Sequence, residues 1–180
     1  METVGIWSGS DLLREHLLRR LVPQYRIIRA EAPAALADAA LLIVAPDAEN
    51  PPDSVLLRPR LALLPGWDAA PRRAVRAACA VSYGLGGQNT LTLSSMVGGT
   101  VSVALQRELL TLSGRTVERQ EWVLPRERDM DTADRFLCLV GALLLLDCEP
   151  LESINSPRRA QFSPNSLRGR RMSFPKKGSA

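Results

Sequence analysis

Two short stretches of the chain hold residue types that bind ligands. The first is Ser8-Gly9-Ser10-Asp11, between the apolar run Val4–Trp7 and a leucine-rich segment at helical spacing. A strand, a tight turn and a helix start in that order present free backbone N–H groups and the positive end of the helix dipole. Ser8, Gly9 and Ser10 are therefore candidates to hold a phosphate or carboxylate group, and a capped helix that binds nothing is the plainer reading. The second stretch is Gly84-Leu85-Gly86-Gly87-Gln88-Asn89-Thr90. Gly84, Gly86 and Gly87 allow a backbone nest for an anion, with Gln88 and Asn89 orienting a ligand. The plainer reading is a flexible corner between sheet layers.

Neither stretch carries a nucleotide motif. The chain lacks a Gly-x-x-Gly-Lys-Thr phosphate loop, and Gly84–Thr90 contains no lysine. The G-x-G-x-x-G dinucleotide fingerprint is absent as well. His16 is the single histidine, set among Leu12, Leu13 and Leu17. Without a matched serine, cysteine or metal partner it reads as a boundary residue, which argues against Ser-His-Asp catalysis. Cys79, Cys138 and Cys148 are odd in number and form no C-x-x-C pair, so they support neither a disulfide framework nor a zinc site. They read as buried thiols on or beside apolar helices. Asp47, Glu49 and Asp53 are more simply solvated loop residues than metal ligands. No catalytic residue, metal or cofactor is assigned.

Charge divides the chain. Of its 23 basic residues, 16 fall in Met1–Glu152 with all 19 acidic ones, a net of −3. The remaining seven are Arg158, Arg159, Arg168, Arg170, Arg171, Lys176 and Lys177, in a segment without an acid. The pI of about 9.4 thus reflects the tail and not the body. We expect a single domain over residues 1–152 and a basic disordered tail over 153–180, rich in Ser, Pro, Arg, Asn and Gly. The tail's cations are suited to weak contact with an anionic surface. Arg170-Arg171-Met172-Ser173 is a pattern that basophilic kinases select, which makes Ser173 a candidate phosphorylation site. The longest apolar run, Phe136–Leu146, is too short to span a bilayer, and the N-terminus lacks a signal-peptide pattern. A cytoplasmic location is the expectation.

The elements that must position these residues follow from periodicity. Val4–Trp7, Tyr25–Arg29, Ala40–Ala45, Leu61–Leu64 and Val81–Tyr83 read as strands. Helices are expected from Leu12 to Leu21, from Pro33 to Ala39 and from Pro71 to Cys79. The alternation implies parallel pairing. Thr90–Met96 and Thr100–Leu105 alternate polar and apolar residues, and Gly98-Gly99 and Ser113-Gly114 suit tight turns, which predicts an antiparallel meander. Asp131–Asp147 reads as the longest helix, with Asp131 as N-cap, Asp134 completing a weak capping box and Pro150 as terminator. The expected fold is α/β: three layers, a partly parallel sheet followed by an antiparallel β-meander, and a buried C-terminal helix.

The run Val81-Ser82-Tyr83-Gly84-Leu85, a short loop and then Thr90-Leu91-Thr92 resembles the end of the central domain of Mur ligases, the ATP-dependent enzymes that extend the peptide of cell-wall precursors. In that family a strand ending in an aromatic-Gly-apolar triplet passes into a meander, followed by a long Ala/Leu-rich helix; Asp131–Asp147 occupies that place here. The resemblance covers residues 81–148. The family's phosphate loop is missing, and Asp131 and Asp134 stand where its asparagines are expected, so no catalytic residue carries over. The resemblance implies a reduced relative without ligase chemistry. The expected function is a non-catalytic binding, scaffolding or regulatory module of the bacterial cytoplasm with a protein partner. The alternative is a small nucleotide- or phosphate-binding protein, or an enzyme, using loops 8–11 and 84–90.

Overall fold

A computed structural model describes residues 1–20, 24–51, 55–68, 70–97, 99–127 and 129–148. Asp53, the proposed tail of residues 153–180, its seven cations and Ser173 lie outside the described residues, as does Pro150.

The chain opens with strand β1 (Glu2–Trp7), helix α1 (Leu12–Arg20), strand β2 (Tyr25–Ala30) and a 3₁₀ turn (Pro33–Leu36). Strands β3 (Leu41–Val44) and β4 (Leu61–Pro65) follow, then the short helix α2 (Ala70–Ala74) and strand β5 (Cys79–Tyr83). The meander comprises β6 (Leu91–Val97), β7 (Thr100–Leu105) and β10 (Gln120–Pro125), with a small hairpin of β8 (Leu109–Leu110) and β9 (Thr116–Val117) inserted before its last strand. Helix α3 (Ala133–Leu145) completes the order.

The main sheet has eight strands in the order β10-β7-β6-β5-β4-β3-β1-β2. Pairing is parallel from β2 through β6 and antiparallel from β6 to β7 and β7 to β10. β5 joins β6 through Tyr83 and Leu91 alone. The strand order reverses between β1 and β3, which diverge from there to opposite sides of the sheet. In open α/β sheets the carboxyl ends of strands at such a reversal are where ligands bind.

Two cores hold the layers. The larger joins α1 and α3 to one face through Leu13, Leu17, Val4, Ile6, Leu63, Leu91, Leu137 and Leu143, among others. The smaller lies on the opposite face, where Trp7, Leu42, Val44, Ala62 and Leu64 meet Leu36 and Val75. β3 and β4 are buried along their whole length, as expected of central parallel strands whose side chains enter both cores. Every residue of α3 from Phe136 to Leu145 is buried. The sheet takes one side of it and α1 another. Gly141 makes the close approach possible, since a Cβ there would stand 3.0 Å from Leu63 Cδ1. The β8–β9 hairpin closes the far end of α3, with Leu112 N–H donating to Leu145 O.

Several boundaries differ from expectation for local reasons. Thr132, not Asp131, caps α3: its side chain accepts from Arg135 N–H, while Asp131 pairs with the Arg135 guanidinium at 2.9 Å. The helix ends before the Pro150 position. Cys148 N–H reaches Leu143 O and Asp147 N–H reaches Leu144 O, with Asp147 in the left-handed region at φ 60°. That is a Schellman closure with aspartate in the place glycine usually takes. Cys79 belongs to β5 and not to a helix, because α2 stops at Ala74. The segment from Pro33 forms a single 3₁₀ turn. Among the described residues no helix is long and apolar enough to cross a membrane.

Candidate functional site

Both candidate loops lie at the carboxyl edge of the parallel strands, on either side of the first turns of α3. Ser8 follows β1, at the strand reversal. It is fully buried, and its Oγ lies 2.8 Å from Asp47 Oδ1 and 2.9 Å from Ser10 O while accepting from Ser10 N–H at 3.1 Å. Its single proton therefore serves one of two acceptors already in place. A Cβ on Gly9 would stand 3.2 Å from Asp47 O, so β3's exit loop presses directly on this turn. A carboxylate of the chain itself thus occupies the position where an anion would approach. Neither serine is bonded to an N–H of α1; Glu15 N–H instead donates to Asp11 O. A small cavity of about 10 Å³ adjoins Ser8, Ser10 and Asp47 and reaches Arg135 and Cys138 of α3.

The second loop builds a larger cleft of about 200 Å³ with the exit of β4. Its lining comprises Gly66, Trp67, Leu85, Gly86, Gln88, Asn89 and, from α3, Asp134. Gly84 takes φ +148° as β5 turns out of the sheet, and its missing side chain leaves room for the Trp67 ring, which a Cβ would meet at 3.0 Å. Trp67 stands edge-on to the buried Tyr83, centroids 5.5 Å apart at 84°. Tyr83 is itself anchored by a 2.7 Å hydrogen bond to Val44 O. The indole is therefore held at its base while 53% of the residue remains exposed, beside Leu85 at 62%.

The polar groups of this cleft are unevenly satisfied. Asn89 is 3% exposed; Nδ2 donates to Gly86 O at 3.0 Å, and Oδ1 has no hydrogen-bond partner. Its carboxamide fills the space left by Gly66, where a Cβ would lie 1.7 Å from Oδ1. Asp134 Oδ1 is also buried without a partner, and burial raises its carboxyl above the ordinary aspartate value. Gln88 folds against Gly86, and Gly87 is exposed.

Other reactive side chains are committed elsewhere. Burial pushes the Cys138 thiol up to about 12. His16 is 1% exposed, with Nδ1 3.0 Å from the Arg20 guanidinium, and burial followed by the Arg20 charge lowers its pKa. Arg20 in turn pairs with Glu127. Among the described residues no three His, Cys, Asp or Glu side chains group as a metal site would require.

Sequence reasoning named Gly84, Gly86, Gly87, Gln88 and Asn89 but missed Trp67 and missed Asp134 as a cleft residue. A lone tryptophan after Pro65-Gly66 was a signal within reach; Asp134 carried none beyond its capping register. A third groove of about 370 Å³, lined by Ser82, Thr90, Arg76 and Arg107, was also missed. The chain matches no protein-family profile, and no curated protein sequence matches it.

Proposed function

We propose that this chain is a non-catalytic binding module of the bacterial cytoplasm, and that the Trp67–Leu85–Asp134 cleft is where it receives a group from a protein partner. The observation that carries the reading is the pairing of exposed apolar area with unmatched buried acceptors at one place. Trp67 and Leu85 project at the rim, and beneath them Asn89 Oδ1 and Asp134 Oδ1 lack donors. Tryptophan on a rigid base is the side chain most often central to protein interfaces, because it contributes a large area at small conformational cost. The cleft also lies at the carboxyl ends of β4 and β5, where open α/β sheets bind. The Ser8 loop supports an anion less well, since Asp47 fills its approach.

Kinship with the end of the Mur-ligase central domain remains part of the proposal. What supports it is the order β5, Gly84-Leu85, meander, then a long apolar helix. The test is an NMR titration of the ¹⁵N-labelled full chain with a panel of blocked tripeptides of varied side chain. We expect shifts concentrated at Gly66, Trp67, Leu85–Asn89 and Asp134. Shifts confined to Ser8–Asp11, or to the Arg76–Arg107 groove with inorganic phosphate, would replace this reading with the anion-binding one.

A further inference from the structure

We propose that the cleft accepts the guanidinium group of an arginine side chain presented by a protein partner. The inference rests on the binding reading above and adds the chemistry of the group bound. Its starting point is a surplus of acceptors. Asn89, more than nine-tenths buried, spends its Nδ2 on Gly86 O and leaves Oδ1 without a donor. Asp134 Oδ1 is shut off from solvent in the same way, and among the described residues Asp134 enters no ion pair or hydrogen bond. Buried acceptors left unmatched cost free energy that a donor from outside recovers.

The lining excludes the opposite charge. Among the described residues it holds one carboxyl, two carboxamides and no basic side chain. A phosphate or carboxylate would meet Asp134 with nothing to neutralise it, whereas a cation entering the cleft gains a partly desolvated charge partner. The shape then selects among cations. Asn89 and Asp134 come from different elements and offer separate acceptors, which a compact ammonium serves poorly. A guanidinium spreads five N–H donors in a plane and stacks against aromatic rings, and the exposed Trp67 indole is the aromatic surface at this rim. The long aliphatic stem of an arginine would lie against Leu85.

The experiment titrates the full chain with blocked Ala-Arg-Ala and with the same peptide carrying citrulline, lysine or glutamate in the centre. Citrulline keeps the shape of arginine and removes its charge. Binding is read from the Trp67 indole resonance, assigned by its loss in Trp67→Leu, and from the backbone amide of residue 134. The arginine peptide is expected to bind at least tenfold more tightly than the citrulline peptide, with lysine between them and glutamate silent. Asp134→Asn should erase the arginine–citrulline difference while the protein still melts cooperatively. If that variant does not fold, Trp67→Leu carries the test, read at the residue 134 amide, and should weaken the arginine peptide at least fivefold. Citrulline or glutamate binding as well as arginine at these resonances would overturn the charge assignment and leave the cleft as a binding site. Silence of every peptide there would overturn both.

Discussion

Asp134, half-buried, and His16, buried, are titratable groups whose environments disfavour charge, and they act on stability in opposite pH directions. Burial raises the Asp134 carboxyl above 3.8. The folded state then holds its proton more tightly than the unfolded chain, so stability falls as pH rises from about the unfolded aspartate value through the raised folded one. Replacing Asp134 with Asn removes that cost. We expect Asp134→Asn to melt higher than wild type at pH 7, with the gain disappearing below about pH 3.8, the ordinary aspartate range. A lower melting temperature at pH 7 would mean that the carboxylate has a partner there. His16 is the converse case. Its pKa is lowered from 6.5 by burial first and by Arg20 next, with Glu127 and Asp129 opposing and Arg19 assisting. The unfolded chain takes up the proton first, so the stability is complete above about pH 6.5 and is lost as pH falls toward the lowered folded value. Thermal melts from pH 8 to pH 5 should show wild type declining more steeply than His16→Gln. Parallel curves would show that His16 is not the group responsible.

At the scale of elements, α3 organises the molecule. It lies across β4, β5 and β6 and against α1, and its first turns separate the two cavities of the carboxyl edge. Its burial on all sides has a direct mutational consequence. Leu143 is fully buried and Leu144 is 4% exposed. An unpaired carboxylate at either position costs several kcal/mol, comparable with a domain stability of about 5–15 kcal/mol. Leu143→Asp and Leu144→Asp should each abolish the cooperative melt followed by circular dichroism. Soluble variants that still unfold in one sharp transition would mean that α3 can leave the sheet without loss of the fold. The end of α3 matters for a different reason. Asp147 accepts a left-handed conformation to close the helix and holds Arg115 at 3.0 Å, which ties the β8–β9 hairpin over the amino edge and leaves the carboxyl edge open.

Over the whole molecule, charge is the property that separates body from tail. Seven cations stand in residues 153–180 without an acid, against a net of −3 for residues 1–152. Each cation near an anionic surface contributes on the order of 1 kcal/mol, and the attraction fades within a Debye length of about 8 Å at physiological salt. The cations are spread along the segment, so few engage at once. We predict weak co-sedimentation of the full chain with phosphatidylserine vesicles at low salt, lost by a few hundred millimolar NaCl, and none for residues 1–152. Identical sedimentation of the two would remove the tail's charge as a cause. Phosphate on Ser173, beside Arg170 and Arg171, should weaken the contact further.

Periodicity alone determined where most strands lie, and the alternation of strands with helices implied parallel pairing among the first of them. β7 coincides with the predicted Thr100–Leu105, and Gly99 and Gly114 take the positive φ that their turns require, 83° and 90°. Such features are local: alternation of side chains over six residues, or one glycine in a hairpin, is decided by the chain's nearest neighbours. The α/β class follows from them. The cleft could not follow. Asp134 reads in sequence as a capping residue, and only the passage of α3 over β4–β6 sets it beside Gln88 and Asn89. Ser8 reads most plainly as part of a helix-capping turn, with an anion site as the alternative, and only the neighbouring exit of β3 places Asp47 on it. Trp67 carries no assignment from the sequence pattern, and Tyr83 beneath it, fixed to Val44 across the sheet, holds it at the rim. Each of these is a contact between strands or a helix far apart in the chain. Burial and charge at such contacts depend on which elements meet, and that is a property of packing and not of local pattern.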